Sequence, residues 1–189
     1  MTGELDPEDS PAPMSLAWYH TLRPELEPGH EVLLLQGGGD YFPALIEAID
    51  AAQTSVLLET YIFEDDASGR RVAAALARAA DRGVTVNLVV DGFGTPQLAG
   101  EVGATLGASK VNVRVFRPAT QRWRLSRQRL RRMHRKLSVF DGHTAFVGGI
   151  NVLDDFYDPN FGVLEFPRFD FAVRVRGPGR SRGASARRR

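Results

Sequence analysis

An imidazole, an ammonium, a carboxylate and an amide stand at fixed intervals in the stretch Met133 to Asn151, MHRKLSVFDGHTAFVGGIN. The pattern is H-x-K, four residues, D, six residues, G-G-x-N, carried by His134, Lys136, Asp141, Gly148, Gly149 and Asn151. If each residue type occurs about once in twenty positions, a chance match at a given start is on the order of one in ten million. A lone H-x-K would carry no such weight. The residue types suit a phosphate ester. Histidine can attack phosphorus, lysine can neutralise the non-bridging oxygens, and asparagine adds a neutral donor.

Local structure must bring these groups together. Leu137, Val139 and Phe140 mark a β-rich run, Asp141-Gly142 is a two-residue hairpin signal, and Thr144 to Val147 is the expected returning strand. Residues at i and i+2 share a strand face, so His134 and Lys136 project together while Leu137 and Val139 pack on the other side. Gly148 and Gly149 carry no Cβ and are expected to let backbone approach a bulky or charged ligand. Asn151 can cap a following helix or donate its amide to an oxygen.

The window resembles the HKD signature of the phospholipase D superfamily. From about Glu31 to Pro178 the chain resembles the first half of a bacterial cardiolipin synthase. The matching stretches are LLLQGGGDYFPALIEAIDAAQTSVLLETYIFEDD, DRGVTVNLVVDGFG, RRMHRKLSVFDGHTAFVGGIN and FDFAVRVRGP. The signature is specific for the superfamily, and the flanking stretches favour the lipid synthase within it. The resemblance implies His134 as nucleophile and Lys136 as phosphate ligand. It places Asp141 with the catalytic set, although a D-G turn explains that residue without chemistry and a mainly structural or orienting role is expected. It also implies that Asp170, in FDFAV, holds the other ring nitrogen of His134; an outward-facing strand residue is the alternative. Gly148, Gly149 and Asn151 are the expected substrate-binding positions.

Composition narrows the possibilities. The 189 residues suffice for one domain with a sizeable core, and the apolar (43%) and charged (25%) fractions are those of an ordinary globular protein. No cysteine is present, which excludes disulfides, thiolate nucleophiles and Cys-based zinc sites and fits a reducing compartment. The histidines lack ligand spacing, so no metal is expected, and no cofactor. Net charge is only +1, but it is unevenly spread. The first 31 residues set Glu4, Asp6, Glu8, Asp9, Glu25, Glu27 and Glu31 against Arg23, whereas every charged residue from Arg114 to Lys136 is basic. A basic stripe running into a phosphate site suits anionic lipid or nucleic acid. The final Arg180, Arg182, Arg187, Arg188 and Arg189 read as a solvated tail. No run approaches the roughly 18 to 20 apolar residues of a membrane span, and the N-terminus does not read as a secretory signal. The expected setting is cytoplasmic and peripheral, at the inner face of the cell membrane.

Taken in order, residues 1–30 read as a flexible, proline-broken leader in which Trp18, Tyr19 and Leu22 can dock on the domain. Val32 to Leu35 is a short strand, Gly37 to Gly39 a turn, and Asp40 the N-cap of a helix with Phe42, Leu45, Ile46 and Ile49 on one face. Ser55 to Phe63 is a buried strand, Ser68 to Arg82 a helix ended by Gly83, and Val84 to Val90 the next strand, giving a right-handed βαβ unit. Asp91 leaves the carboxyl end of that strand, where open α/β sheets place ligands, but a turn aspartate accounts for it equally. Glu59 interrupts an apolar strand and reads as a pocket acid of undefined role. A glycine-weakened helix is expected over Pro96 to Leu106 and a strand over Val111 to Phe116. The basic connector Pro118 to Arg132 follows, with Trp123, Leu125 and Leu130 as apolar anchors. VLDDFYD is a short helix or loop, and Pro159 to Pro167 is irregular. Over Arg168 to Arg176, Phe169, Phe171, Val173 and Val175 alternate with Asp170, Arg174 and Arg176 as a strand. The fold class is α/β: a mixed, largely parallel β-sheet flanked by helices, one phospholipase D-like half-domain over 31–178, with a disordered basic tail over 179–189.

Family members pair two HKD motifs across one site. One histidine forms a phosphohistidine, and the other protonates the leaving alcohol and deprotonates the incoming one. This chain contains one motif. The resemblance therefore implies a phosphatidyltransferase that uses phosphatidylglycerol and a lipid alcohol. Its second histidine comes either from a homodimer partner or from a missing second half; the match to a first half favours the latter, in which case the lone half is expected to be inactive. Two alternatives are a homodimeric phosphodiesterase that cleaves nucleic acid without metal, and a non-catalytic module binding anionic lipid or DNA.

Overall fold

The computed structural model describes residues 28–118 and 132–177. The leader with Trp18, Tyr19 and Leu22, the anchors Trp123, Leu125 and Leu130, and the arginine tail lie outside the described residues. Strand β1 (Glu31–Gln36) leads into helix α1 (Gly37–Ala51), β2 (Ser55–Thr60) into α2 (Ala67–Asp81), and β3 (Thr85–Asp91) into α3 (Gly100–Ala108) and β4 (Asn112–Phe116). Then come β5 (Lys136–Phe140), β6 (Thr144–Gly148), the short β7 (Tyr157–Asp158) and β8 (Gly162–Val163), and β9 (Phe171–Arg176).

Seven strands form one mixed sheet in the order β1-β9-β6-β5-β2-β3-β4, with β7 and β8 as a separate ribbon. The α/β class holds, but the expectation of a largely parallel sheet does not. Only β2/β3 and β3/β4 pair in parallel, and the other four neighbouring pairs are antiparallel. Parallel neighbours need a crossover, which α2 and α3 supply on one side of the sheet. On the other side β5 and β6 are joined by a tight turn, and β9 brings the far end of the chain in between β1 and β6.

The helices cover one face. Phe42, Leu45 and Ile49 of α1, Val72, Leu76 and Ala79 of α2, and Val102 and Leu106 of α3 bury against Val56, Leu58, Val86, Leu88, Val90, Phe140 and Phe146. Burial of this apolar surface is the main stabilising term. Helix α2 begins as its sequence requires, with the Asp66 carboxylate accepting the Gly69 N–H at 2.8 Å, and Gly83 follows its end at φ +88°. Helix α1 departs from expectation. It starts at Gly37, so the glycines open the helix instead of forming a separate turn. Asp40 lies in the first turn, and its Oδ2 reaches back to accept the Gln36 N–H at 3.1 Å. Asp155, remote in sequence, accepts the Gly38 N–H at 2.5 Å. A Cβ on Gly38 would lie 2.7 Å from the Phe42 ring and 3.0 Å from that carboxylate, which is why a side chain does not fit there.

The opposite face carries an apolar row that no helix among the described residues covers. Val32, Leu34 and Val147 are 65%, 61% and 52% exposed. Val32 pairs with Val175, and Val173 lies between Leu34 and Val147. The alternation expected in β9 is present, but the residue it buries against the helices is Ala172. Its apolar set Phe171, Val173 and Val175 looks toward the uncovered side.

Candidate active site

β5 and β6 form the expected hairpin. Asp141 and Gly142 both occupy the left-handed region, at φ +50° and +73°, in a turn closed by the His143 N–H to the Phe140 carbonyl at 3.1 Å; because Phe140 pairs with Thr144, the loop spans three residues, one more than the two-residue hairpin expected. At the other end of β5, His134 and Lys136 share one side. Lys136 Nζ lies 3.4 Å from His134 Nδ1, 3.3 Å from Nε2 and 2.9 Å from the His134 carbonyl oxygen. His134 is exposed, whereas Lys136 is only 6% exposed. Burial pushes the Lys136 ammonium pKa down, and the charge of Asp170 opposes that shift. A buried, partly desolvated cation beside an accessible imidazole is a strong anion ligand. An oxygen bound at the ammonium would bring its phosphorus within attacking reach of the ring.

Tyr61, just beyond β2, completes this cluster and was not singled out in the sequence. Its ring lies 4.9 Å from the His134 ring, and Lys136 Nζ stands 5.4 Å from its centroid. In sequence it is one more aromatic in an apolar run, so no signal marked it.

Asp170, which the resemblance places on the other ring nitrogen of His134, adjoins the cluster through Lys136. Among the described residues no hydrogen bond joins it to His134. Its Oδ1 accepts the Phe171 N–H at 2.8 Å, its carbonyl accepts the Gly37 N–H at 2.9 Å, and its field acts on Lys136. The two glycines serve this packing. A Cβ on Gly149 would lie 2.1 Å from Asp170 Oδ1, and one on Gly148 would lie 2.4 Å from the Phe171 carbonyl oxygen. Their missing side chains therefore admit β9 and the acid that precedes it. Gly148 also sits directly across from Lys136 in the hairpin register.

Asn151 caps no helix, since the chain runs on as a loop. Its Oδ1 accepts the Ile62 N–H at 3.0 Å. The side-chain amide is thereby oriented with its N–H groups available for an oxygen.

Asp141 stands apart from the cluster. It follows Phe140 at the far end of β5, and its carboxylate accepts N–H groups of Gln53, Thr54 and Ser55 at 2.9, 2.8 and 2.9 Å, and the Thr54 hydroxyl at 2.8 Å. Desolvation raises its pKa, but these hydrogen bonds together outweigh it and hold the carboxyl far below its ordinary range. These contacts tie the hairpin turn to the start of β2, in keeping with the mainly structural or orienting role expected of a D-G turn. His143 lies at the same end, with Nδ1 3.0 Å from Thr144 Oγ1, so the described residues bring no second histidine to His134. No group of three or more His, Asp or Glu among them is placed to hold a metal ion.

The two residues left undefined by sequence have definite partners. Glu59 forms an ion pair with Arg135, including an Nη2 to Oε1 contact of 3.3 Å. Asp91 is fully buried and accepts the N–H groups of Phe93 at 2.9 Å and Met133 at 2.7 Å.

A buried lysine against an exposed histidine, at the start of a hairpin in a seven-stranded mixed sheet, is the arrangement on which comparison with known proteins bears. The family described as "Cardiolipin synthase, PLD-like domain" matches residues 45–163, and the chain belongs to this phospholipase D-like family. Cardiolipin synthase B of Salmonella typhi is 39% identical over 150 residues, 79% of this chain and 36% of that protein. Cardiolipin synthase B of Escherichia coli (strain K12) is 37% identical over 153 residues, with the same two shares. The chain thus spans about a third of the length of the curated relatives it matches. Nuc of Salmonella typhimurium, a phospholipase D family member of known structure, shares the fold at 20% identity and a TM-score of 0.54, covering 78% of this chain and 84% of Nuc.

Proposed function

We propose that this chain forms one catalytic unit of a phosphatidyltransferase of the cardiolipin synthase type. The observation that carries this reading is Lys136 Nζ at 3.3 Å from His134 Nε2, a phosphate ligand directly beside a nucleophile. Phosphatidylglycerol is the donor. Its phosphate oxygens bind Lys136 and the Asn151 amide. A His134 ring nitrogen attacks phosphorus, the bond from phosphorus to the glycerol oxygen breaks, and a phosphohistidine forms. The departing glycerol oxygen takes a proton. A second lipid alcohol, typically phosphatidylglycerol, loses its proton and displaces His134 from phosphorus, which restores the enzyme.

Those proton transfers need a second acid-base group, and the described residues place no further histidine there. The reading therefore includes a second phospholipase D-like unit, either another copy of this chain or the remaining two-thirds of a protein as long as its relatives. The exposed Val32, Leu34 and Val147, joined by the half-buried Val173 and Val175 on a face that no described helix covers, support such a partner, because an exposed apolar patch marks an interaction surface. No described helix is long and apolar enough to cross a membrane, and the reading places the unit peripherally at the inner face of the cell membrane. The relatives' names favour lipid over the nucleic-acid alternative.

The test is transfer from phosphatidylglycerol vesicles by the chain alone and by the chain joined to a second unit. Cardiolipin and glycerol in equal amounts, an acid-labile phosphoprotein intermediate, and loss of both in His134→Ala are expected. Full activity in His134→Ala, or metal-independent DNA cleavage without lipid transfer, would overturn the proposal.

A further inference from the structure

His134 stands between two residues that are each tied down by a carboxylate from a different strand. On its N-terminal side, the Met133 N–H donates to the fully buried Asp91 Oδ2 at 2.7 Å, at the end of β3. On its C-terminal side, the Arg135 guanidinium binds the Glu59 carboxylate on β2, with Nε to Oε2 and Nη2 to Oε1 contacts. Glu59 lies among apolar neighbours on the face away from the described helices, with its side chain 13% exposed, and its carboxylate meets the guanidinium of the more exposed Arg135 through two contacts.

The loop after β3 reinforces this arrangement. Asp91 Oδ1 also fixes Phe93, and the Arg132 guanidinium lies 4.4 Å from the centre of the Phe93 ring. Thr95 accepts the Phe63 N–H at 2.8 Å and donates to the Tyr61 carbonyl at 3.1 Å. Tyr61 in turn packs against the His134 ring. Backbone before the histidine, side chain after it and the ring itself are thus each held from a different direction.

We infer that Asp91 and Glu59 are positioning residues, a two-carboxylate clamp that fixes the His134 imidazole for in-line attack on a bound phosphodiester. Asp91 does this through the Met133 backbone and Glu59 through Arg135. Neither acid touches the reacting atoms. The inference rests on the reading of His134 as the nucleophile. Holding a reactive group in an attack-ready geometry accounts for a large share of rate enhancement, and a displacement near 1 Å costs on the order of a hundredfold.

The test compares the full chain with its Asp91→Asn and Glu59→Gln variants, each first shown by thermal melting to fold. The primary readout needs no turnover: the ring signals of His134 in nitrogen-proton correlation spectra, with His143 at the distant hairpin turn as internal reference. Asp91→Asn keeps one acceptor and sets an amide N–H against a backbone N–H. It is expected to shift and broaden the His134 signals and leave those of His143 unchanged. In an assembled unit that transfers phosphatidyl groups, kcat is expected to fall tenfold to a hundredfold with KM within twofold. Glu59→Gln should act in the same direction more weakly, and adding Arg135→Met to it should change little further, because the two belong to one interaction. A folded Asp91→Asn whose His134 signals match the wild type would overturn the clamp. If Asp91→Asn does not fold, Glu59→Gln decides on the same signals. If even the wild-type assembly transfers nothing, the proposed function fails, and the spectra still judge the clamp.

Discussion

The two ends of β5 carry the charged residues of one short signature and put them to opposite uses. At one end Lys136 is buried with no carboxylate among the described residues in ion-pair contact, beside an exposed imidazole. At the other end Asp141 is saturated by three backbone N–H groups and a hydroxyl. The first end holds a charge that its surroundings leave incompletely compensated, which suits it to bind an ion. The second holds a charge that the fold has fully engaged, which makes it a fastener. A contiguous motif is therefore not a contiguous site. The four residues Leu137 to Phe140 separate its reactive part from Asp141, and chemistry and stability can be perturbed independently.

The largest expected effect comes at the reactive end. In an assembled active unit, His134→Ala should reduce phosphatidyl transfer by about a thousandfold or more, with a melting temperature near that of wild type, since the ring is exposed. Kinetics and thermal melts on one preparation check both halves of that statement.

Lys136→Met should divide the two properties most clearly. Transfer should fall by on the order of a hundredfold to a thousandfold, because the phosphate loses its cation. Stability should rise by about 1 kcal/mol, because a buried charge gives way to an apolar chain of similar length. The pH dependence has a definite sign. The folded pKa of Lys136 lies below its ordinary 10.5, so in that interval the unfolded chain binds a proton that the folded chain has released. Wild-type stability therefore gains from this residue as pH rises through the interval, and the Met variant should lack that slope. Denaturant melts across alkaline pH measure it.

Asp141→Ala should show the reverse pattern. The loss of its hydrogen bonds, with alanine forced to φ +50°, should cost about 2 kcal/mol at neutral pH. The kcat of the folded fraction should stay within about twofold of wild type, because the residue does not touch the reactive end. Its folded pKa is depressed, so its contribution is fully present above the ordinary value of 3.8 and is lost as pH falls below it. The stability difference between variant and wild type should shrink on acidification, and unfolding curves at neutral and acid pH would reveal a failure to do so.

The smallest expected effect on the isolated fold belongs to Val147→Asp on the uncovered sheet face. Stability of the separate unit should change by no more than about 0.5 kcal/mol. Association with a second unit, followed by light scattering, should be lost, and transfer with it. Unchanged association would remove that face from the proposed pairing.

Much of the reactive end was legible in sequence because it is local. His134 and Lys136 are two residues apart, and the D-G turn with its flanking alternation specifies a hairpin. The βαβ unit was legible for the same reason, through the periodicity of Val72, Leu76 and Ala79 and the stop at Gly83. The start of α1 was not, because its glycines are explained by Asp155, which comes from the far side of the domain. Nor was the packing at Gly149, whose missing side chain makes room for Asp170, just before β9. Asp91 and Glu59 looked like a turn residue and an interrupted strand, because their partners Met133 and Arg135 are 42 and 76 positions away.

The sequence by itself determined which chemical groups are available, that the histidine and lysine share a side, where the hairpin turns, and that helices alternate with strands over the first part of the chain. All of these follow from backbone preferences and side-chain periodicity within a few residues. Only the tertiary structure decided that most strand pairs are antiparallel, that the apolar row of β9 faces away from the helices, that the Asp141 carboxylate binds the backbone of residues 53–55, and that the field of Asp170 acts on Lys136. Those outcomes depend on strand order and register. They are set by the packing of the whole sheet against three helices, which joins residues that no local pattern links.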